Sequence, residues 1–363
     1  MKSKPMTKFA ILTLSLILVA CAGGGSEEAG CPAIDGREIN VVATTPMIGE
    51  FVSQVGGENI NLTVLMPPEA NPHTYEPAPQ DAGTIAEADL VFYTGLLYEP
   101  AALVKLLENS ACSTDILSEV GESVFPIEFK EGGHDDHDDH DDHDDHDDHD
   151  DEKDHDDEEG HDDHDDEEGH DDHDDEEGHD DHEGHNHGAY DPHFWFDPSR
   201  VAYAAEYIES RLIQFDPENE SSYKSSADSF VSELNDLTKQ VSELISTVPS
   251  QNRKLITTHE SLGYLEAKFG LEVLSTIIPS LNSANEISPS DLAGVIDVIE
   301  DNNVKVIFIE SEAPSVYSET IVAETGIKPV TGLYVETLKP GQSYSEFLIS
   351  NVKLITENLQ DTD

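Results

Sequence analysis

The chain has 363 residues and sets 79 acidic against 18 basic side chains, a formal net charge of −61. A surface of that sign does not present the basic face that binds phosphate, so nucleic acid is excluded as a partner; the length suffices for two lobes of ordinary domain size. Of 18 histidines, 15 crowd into residues 134–187, leaving His73, His193 and His259 scattered through otherwise globular sequence.

The N-terminal stretch carries Lys2, Lys4 and Lys8 and then an apolar run over residues 9–20, shorter than the roughly 20 residues that span a bilayer. Residues 1–20 therefore read as an export signal. Leu18-Val19-Ala20-Cys21 resembles the cleavage box of bacterial lipoproteins, which implies that Cys21 takes the lipid and anchors the chain to a membrane. The Gly-rich residues after it open a flexible tether over 21–36. In an exported chain the two remaining cysteines, Cys31 and Cys112, are expected to be joined; spacing alone leaves two separate thiols open.

Short apolar runs then alternate with helical patterns. Strands are predicted at 39–43, 62–66 and 90–93, with helices at 47–55, 79–88 and 100–109. Beyond residue 250 the same rhythm predicts strands at 254–258, 272–277, 305–310 and 329–331, and helices at 262–269, 289–301, 315–325 and 344–359. This alternation points to an α/β fold of two similar lobes with parallel sheets. An N-terminal lobe is expected over 37–215 and a C-terminal lobe over 248–363. Between them, 197–214 and 216–245 read as helices. In the second, Phe230, Leu234, Leu237, Val241 and Leu244 recur at three- and four-residue steps. A linking helix over 216–247 of this length, about 45 Å at 1.5 Å per residue, is a strut that resists hinge bending.

The tract at 134–187 interrupts the first lobe. It starts as His-Asp-Asp triplets, becomes two copies of HDDHDDEEG and holds 33 acidic residues against Lys153 alone, a balance of −32 that leaves −29 for the rest. With no apolar residue to join a core and with mutually repelling carboxylates, it is expected to be disordered without metal. Neutral imidazole is the commonest protein ligand for a transition metal. Weak, shared metal buffering is therefore expected from His134, His137, His140, His143, His146, His149, His155, His161, His164, His170, His173, His179, His182, His185 and His187.

The three isolated histidines each sit in a loop at a strand's end or a helix's start, where open α/β sheets place their ligands. Their segments are NPHTYEP (71–77), DPHFWFDP (191–198) and THESLGYLEAKFGL (258–271). In order and separation these resemble the three ligand segments of the zinc and manganese solute-binding lipoproteins of metal ABC importers. The long linking helix and the acidic histidine-rich insertion are similar to the zinc-specific branch of that family. The resemblance implies a metal site in the cleft between the lobes, held by His73, His193 and His259. It implies a fourth ligand from a late loop, usually aspartate in a pattern like LYVDSL, where this chain has LYVETL (333–338) and hence Glu336. It further implies a monomeric, non-enzymatic protein held by lipid on the outer face of the cytoplasmic membrane, which passes its ion to a permease and its ATPase.

Three nitrogens and one oxygen suit four-coordinate Zn(2+), whereas Mn(2+) favours more oxygens and more ligands. Zinc is thus the expected cargo, with manganese the alternative. The four ligands leave a loaded site at a formal charge of +1, and protonation of free imidazoles is expected to weaken binding below about pH 6.5. A zinc hydrolase is a second alternative, because His259-Glu260 looks like half of HExxH, but Gly263 stands where the second histidine belongs. A surface adhesin is a third.

Overall fold

The computed structural model describes residues 36–68, 70–129, 190–278, 288–312 and 316–360, together with Cys31 and Ile34. The export signal, Cys21 and the histidine-rich tract lie outside the described residues. No helix among the described residues is long and apolar enough to cross a membrane.

The first lobe grows from β1 (Ile39–Ala43) and β3 (Leu90–Tyr93), near-continuous apolar runs of the kind that a parallel sheet covered on both faces requires. With β2 (Ile60–Val64) and β4 (Leu117–Glu119) they form a parallel sheet in the order β2-β1-β3-β4. The edge strand β2 starts two residues earlier than its hydrophobicity predicts, because Ile39 pairs with Ile60 and sets the register. The short β4 escapes the sequence pattern. The crossovers are α1 (Pro46–Gly56), α2 (Pro79–Ala86) and α3 (Ala101–Ser110). Thr45 caps α1 by accepting from the Ile48 N–H, and Pro46 takes the first turn, where a missing N–H costs nothing. Cys31 and Cys112 form a disulfide with Cα atoms 5.0 Å apart, tying the N-terminal segment to the chain just past α3.

Two helices follow, α4 (Pro198–Phe215) and α5 (Glu220–Ser246). The linking helix expected from residue 216 begins at Glu220 instead. Asp216 does not cap it: its Oδ2 accepts from the Asn219 side chain and the Tyr223 hydroxyl, and Pro217–Asn219 form a 3-10 turn ahead of the helix. At 27 residues α5 is about 40 Å long. Tyr223, Ala227, Phe230, Leu234, Leu237, Val241 and Ile245 line its buried face.

The second lobe comprises β5 (Lys254–Thr257), α6 (Gly263–Phe269), β6 (Glu272–Thr276), α7 (Pro289–Asp301), β7 (Val306–Glu310), α8 (Val316–Thr325), β8 (Lys328–Leu333) and α9 (Tyr344–Gln360). Its strands pair in parallel as β5-β6 and β7-β8, so the sheet is more broken than that of the first lobe. Ser288 opens α7 through a reciprocal capping box with Asp291.

Among the described residues, three apolar clusters hold this arrangement. Val42, Met66, Ile85, Val91 and Leu103 fill the outer side of the first lobe, and Ile256, Ile277, Val295, Ile307 and Ile321 the outer side of the second. The third is continuous from β1 and α1 through α4, α5 and α9 to β7 and β8. Phe51 of α1 meets Tyr344 of α9 edge to face at 5.3 Å within it. One apolar core thus runs through both lobes and the helices between them, and the loops that end their strands face each other across a short gap.

Candidate metal centre

Each of the three isolated histidines is fixed by a hydrogen bond that its own segment supplies or that arrives from a neighbouring strand. Asn71 accepts from the His73 N–H at 2.9 Å and shapes the 3-10 turn Pro72–Thr74. Asp191 Oδ1 accepts from both the N–H and Nδ1 of His193, each at 2.8 Å. Glu310, the last residue of β7, accepts from the His259 N–H through Oε1 at 3.2 Å and contacts His259 Nδ1 through Oε2. A carboxylate on Nδ1 sets the ring's orientation and leaves Nε2 to face the gap.

The loop after β8 brings the fourth group. Asn351 of α9 pairs with both the N–H and the carbonyl of Tyr334, and Glu312 Oε1 accepts from the N–H groups of Val335 and Glu336. From the first lobe, Trp195 Nε1 donates to the Val335 carbonyl at 2.8 Å, and Tyr344 binds the Trp195 carbonyl in turn. The loop is therefore held from both sides.

The outcome is convergence. His73, His193, His259 and Glu336 are all buried, and one donor atom from each lies within 4.8 Å of all the others. Glu336 Oε1 is 3.2 Å from His73 Nε2, 3.4 Å from His193 Nε2 and 2.8 Å from His259 Nε2. His193 Nε2, His259 Nε2 and Glu336 Oε1 are sealed from solvent without a partner in hydrogen-bond geometry. Buried polar atoms in that condition are costly, and a cation bound among them relieves all three at once. The donor set of nitrogens and one carboxylate oxygen fits a transition-metal dication.

The electrostatics revise the expected pH range. Burial by itself depresses the His193 imidazole, but the charge of Glu336 and the bond to Asp191 outweigh it and raise its pKa to about 9. At His259 burial is likewise overcome, by Glu310 and then Glu336, and the value rises to about 10. Glu336 would be raised by burial; the facing His73 and His193 hold it well below the usual carboxylate range instead. Competition by protons thus starts well above the pH 6.5 expected of free imidazoles.

Asp191, Glu310, Glu312 and Tyr98, whose hydroxyl meets Glu336, were not singled out from the sequence. Asp191 was within reach, since it lies two residues before His193, and a glutamate ending the apolar strand β7 is a signal of the same kind. Nothing local marks Tyr98 or Glu312. The second histidine of an HExxH motif is not merely missing at Gly263: a Cβ there would lie 2.6 Å from Asp191 Oδ2, so the carboxylate that orients His193 needs glycine at that position.

Known proteins are similar to this chain in architecture and, more distantly, in sequence. Among solved structures, the periplasmic zinc binding protein TroA of Treponema pallidum matches with a TM-score of 0.67 at 19% identity, over 89% of this chain and 99% of that one. Fe(III)-bound YtgA of Chlamydia trachomatis matches with a TM-score of 0.66 at 23% identity, over 88% and 98%. Among sequences, the manganese ABC transporter substrate-binding lipoprotein PsaA of Streptococcus anginosus is 25% identical over 98% of this chain and 99% of its own length. The manganese-binding lipoprotein MntA of Halalkalibacterium halodurans is 22% identical over 95% and 94%. The family model described as the periplasmic zinc-uptake complex component A matches residues 41–358. The chain belongs to that family, whose members are solute-binding proteins of ABC importers and not enzymes.

Proposed function

We propose that this protein is the extracytoplasmic zinc-binding component of an ABC importer, taking up one ion between its lobes through His73, His193, His259 and Glu336 and delivering it to a membrane permease driven by an ATPase. The observation that carries this reading is the convergence of four buried donor atoms from both lobes within 4.8 Å. Three nitrogens to one carboxylate oxygen favour zinc. The relatives named for manganese favour the second reading, a manganese carrier. Lipid attachment at Cys21 is part of the proposal and is supported by the relatives' names as lipoproteins.

In this reading Asp191 and Glu310 hold two imidazoles with Nε2 toward the ion, and Glu336 closes the shell from the second lobe, which also supplies His259. Release then requires the second lobe's loop at 334–336 to loosen from Trp195 and Tyr98. The histidine-rich tract, inserted in sequence between Glu128 and Tyr190, which form an antiparallel bridge, acts as a buffer that gathers ions for the site.

The deciding experiment is metal analysis with competition titration, zinc against manganese, on protein lacking residues 134–187. One tightly held zinc is expected, lost in His73→Ala, His193→Ala and His259→Ala. Tight binding that survives all three substitutions refutes the site, and a preference for manganese refutes the zinc assignment. The full chain should bind additional, weaker ions; equal stoichiometry with and without the tract refutes the buffer.

A further inference from the structure

The two oxygens of Glu336 have different neighbours. Oε1 faces all three imidazoles, whereas Oε2 accepts a hydrogen bond from the Tyr98 hydroxyl at 2.8 Å, with the Glu336 carbonyl 3.2 Å from the same oxygen. Tyr98 is 1% exposed. Its ring stands edge-on to His73 at 4.9 Å and to Trp195 at 5.3 Å, so it has little freedom to turn away.

The backbone that delivers Tyr98 is unusual. Gly95, Leu96 and Leu97 are three consecutive left-handed residues, with φ of 76°, 54° and 59°. For leucine this conformation costs about 1–2 kcal/mol per residue, and it persists only where its surroundings enforce it. They do so here: Glu99 accepts from the Thr94 and Gly95 N–H groups, Glu119 accepts from the Leu96 N–H, and the Tyr98 N–H closes the turn on the Gly95 carbonyl. A Cβ at Gly95 would lie 2.0 Å from Glu119 Oε1. The chain holds a strained turn whose result is to aim one hydroxyl at one carboxylate oxygen.

We infer that Tyr98 is a specificity-determining positioning residue, which occupies Oε2 of Glu336 so that the carboxylate offers the ion a single oxygen. This rests on the metal site proposed above and adds a reason for its choice of ion. A bidentate glutamate raises the coordination number without any further residue, which suits manganese, whereas one oxygen and three nitrogens make the four-coordinate shell of zinc. Removing the hydroxyl frees Oε2, already buried, to turn to the ion.

The test compares full-length wild type with Tyr98→Phe, using Zn(2+), Mn(2+) and Co(2+) under a chelator that fixes the free ion concentration. The zinc-over-manganese preference of Tyr98→Phe is expected to fall about 10-fold or more, the scale on which neighbours of metal ligands act. The intense visible bands of four-coordinate Co(2+) in wild type should weaken toward those of a higher-coordinate ion. An unchanged preference with an unchanged cobalt spectrum overturns the inference, as does an equal loss of affinity for both ions, which is what a purely structural role produces. If Tyr98→Phe does not fold, the wild-type cobalt spectrum decides: weak bands of a five- or six-coordinate ion overturn the inference, and intense four-coordinate bands support it. Wild type that binds none of these ions tightly removes the site itself, a failure distinct from a site that binds but ignores Tyr98.

Discussion

His259 and Glu310 meet at the ends of β5 and β7, strands of different two-stranded sheets, and the glutamate takes both the backbone N–H and the Nδ1 of the histidine. One side chain thereby fixes where the loop runs and how the ring is turned. Glu310→Gln keeps an acceptor for the N–H but loses the charge on Nδ1, so the fold should survive while zinc affinity drops by about 10- to 100-fold. Chelator competition measures the loss and a thermal melt checks the fold. Asp191→Asn should act alike through His193; affinity unchanged in both variants would deny the carboxylates any part in holding the ion.

The pH dependence follows from His193 and His259. Both have folded-state values raised above the unfolded value near 6.5, to about 9 and about 10. Their contribution to the stability of the metal-free protein is therefore fully present below pH 6.5 and is lost as pH rises through 9 to 10. Melting temperatures of metal-free protein should decline over that interval. Loading at pH 7.5 must expel the protons these rings carry, about two per ion. Calorimetry in two buffers of different ionisation enthalpy counts them, and zero protons released would contradict the raised values.

Much of the fold was legible because its cause is local. Runs such as Ile39–Ala43, Leu90–Tyr93 and Val306–Glu310 have few places to go except a parallel sheet covered on both sides, and α7 is announced by its own cap and proline. The failures occurred where a neighbour decides. The register of β2 comes from β1. The start of α5 comes from Tyr223 reaching back seven residues to Asp216. At the candidate site, the histidines were conspicuous as the only three outside the tract, and the loop of Glu336 was found by likeness to a family pattern. Tyr98 and Glu312 act on Glu336 from 238 and 24 residues away in sequence, and no spacing rule connects them.

Trp195 tests whether the lobes are coupled through the loop of Glu336. Its indole N–H reaches the Val335 carbonyl from the opposite lobe, and the side chain is fully buried. Trp195→Phe leaves that carbonyl without its donor, at about 1–3 kcal/mol, and opens a small cavity as well. Denaturant unfolding should report the loss of stability, and stopped-flow chelation should report faster release of the ion. Faster unfolding with an unchanged release rate would restrict Trp195 to packing.

The disulfide makes the opposite prediction, stability without any effect on the ion. Cys31 and Cys112 close a loop of sequence separation 81, and removing a bridge of that kind typically costs 2–4 kcal/mol, mostly by restoring freedom to the unfolded chain. Cys112 follows α3, whereas His73, Tyr98 and Trp195 occupy the loops facing the second lobe. The double variant Cys31→Ser with Cys112→Ser should therefore unfold at lower denaturant while its zinc dissociation constant stays within about twofold of wild type, since sites without shared partners behave independently. A parallel fall in affinity would mean that the N-terminal segment reaches the site by a route these contacts do not contain.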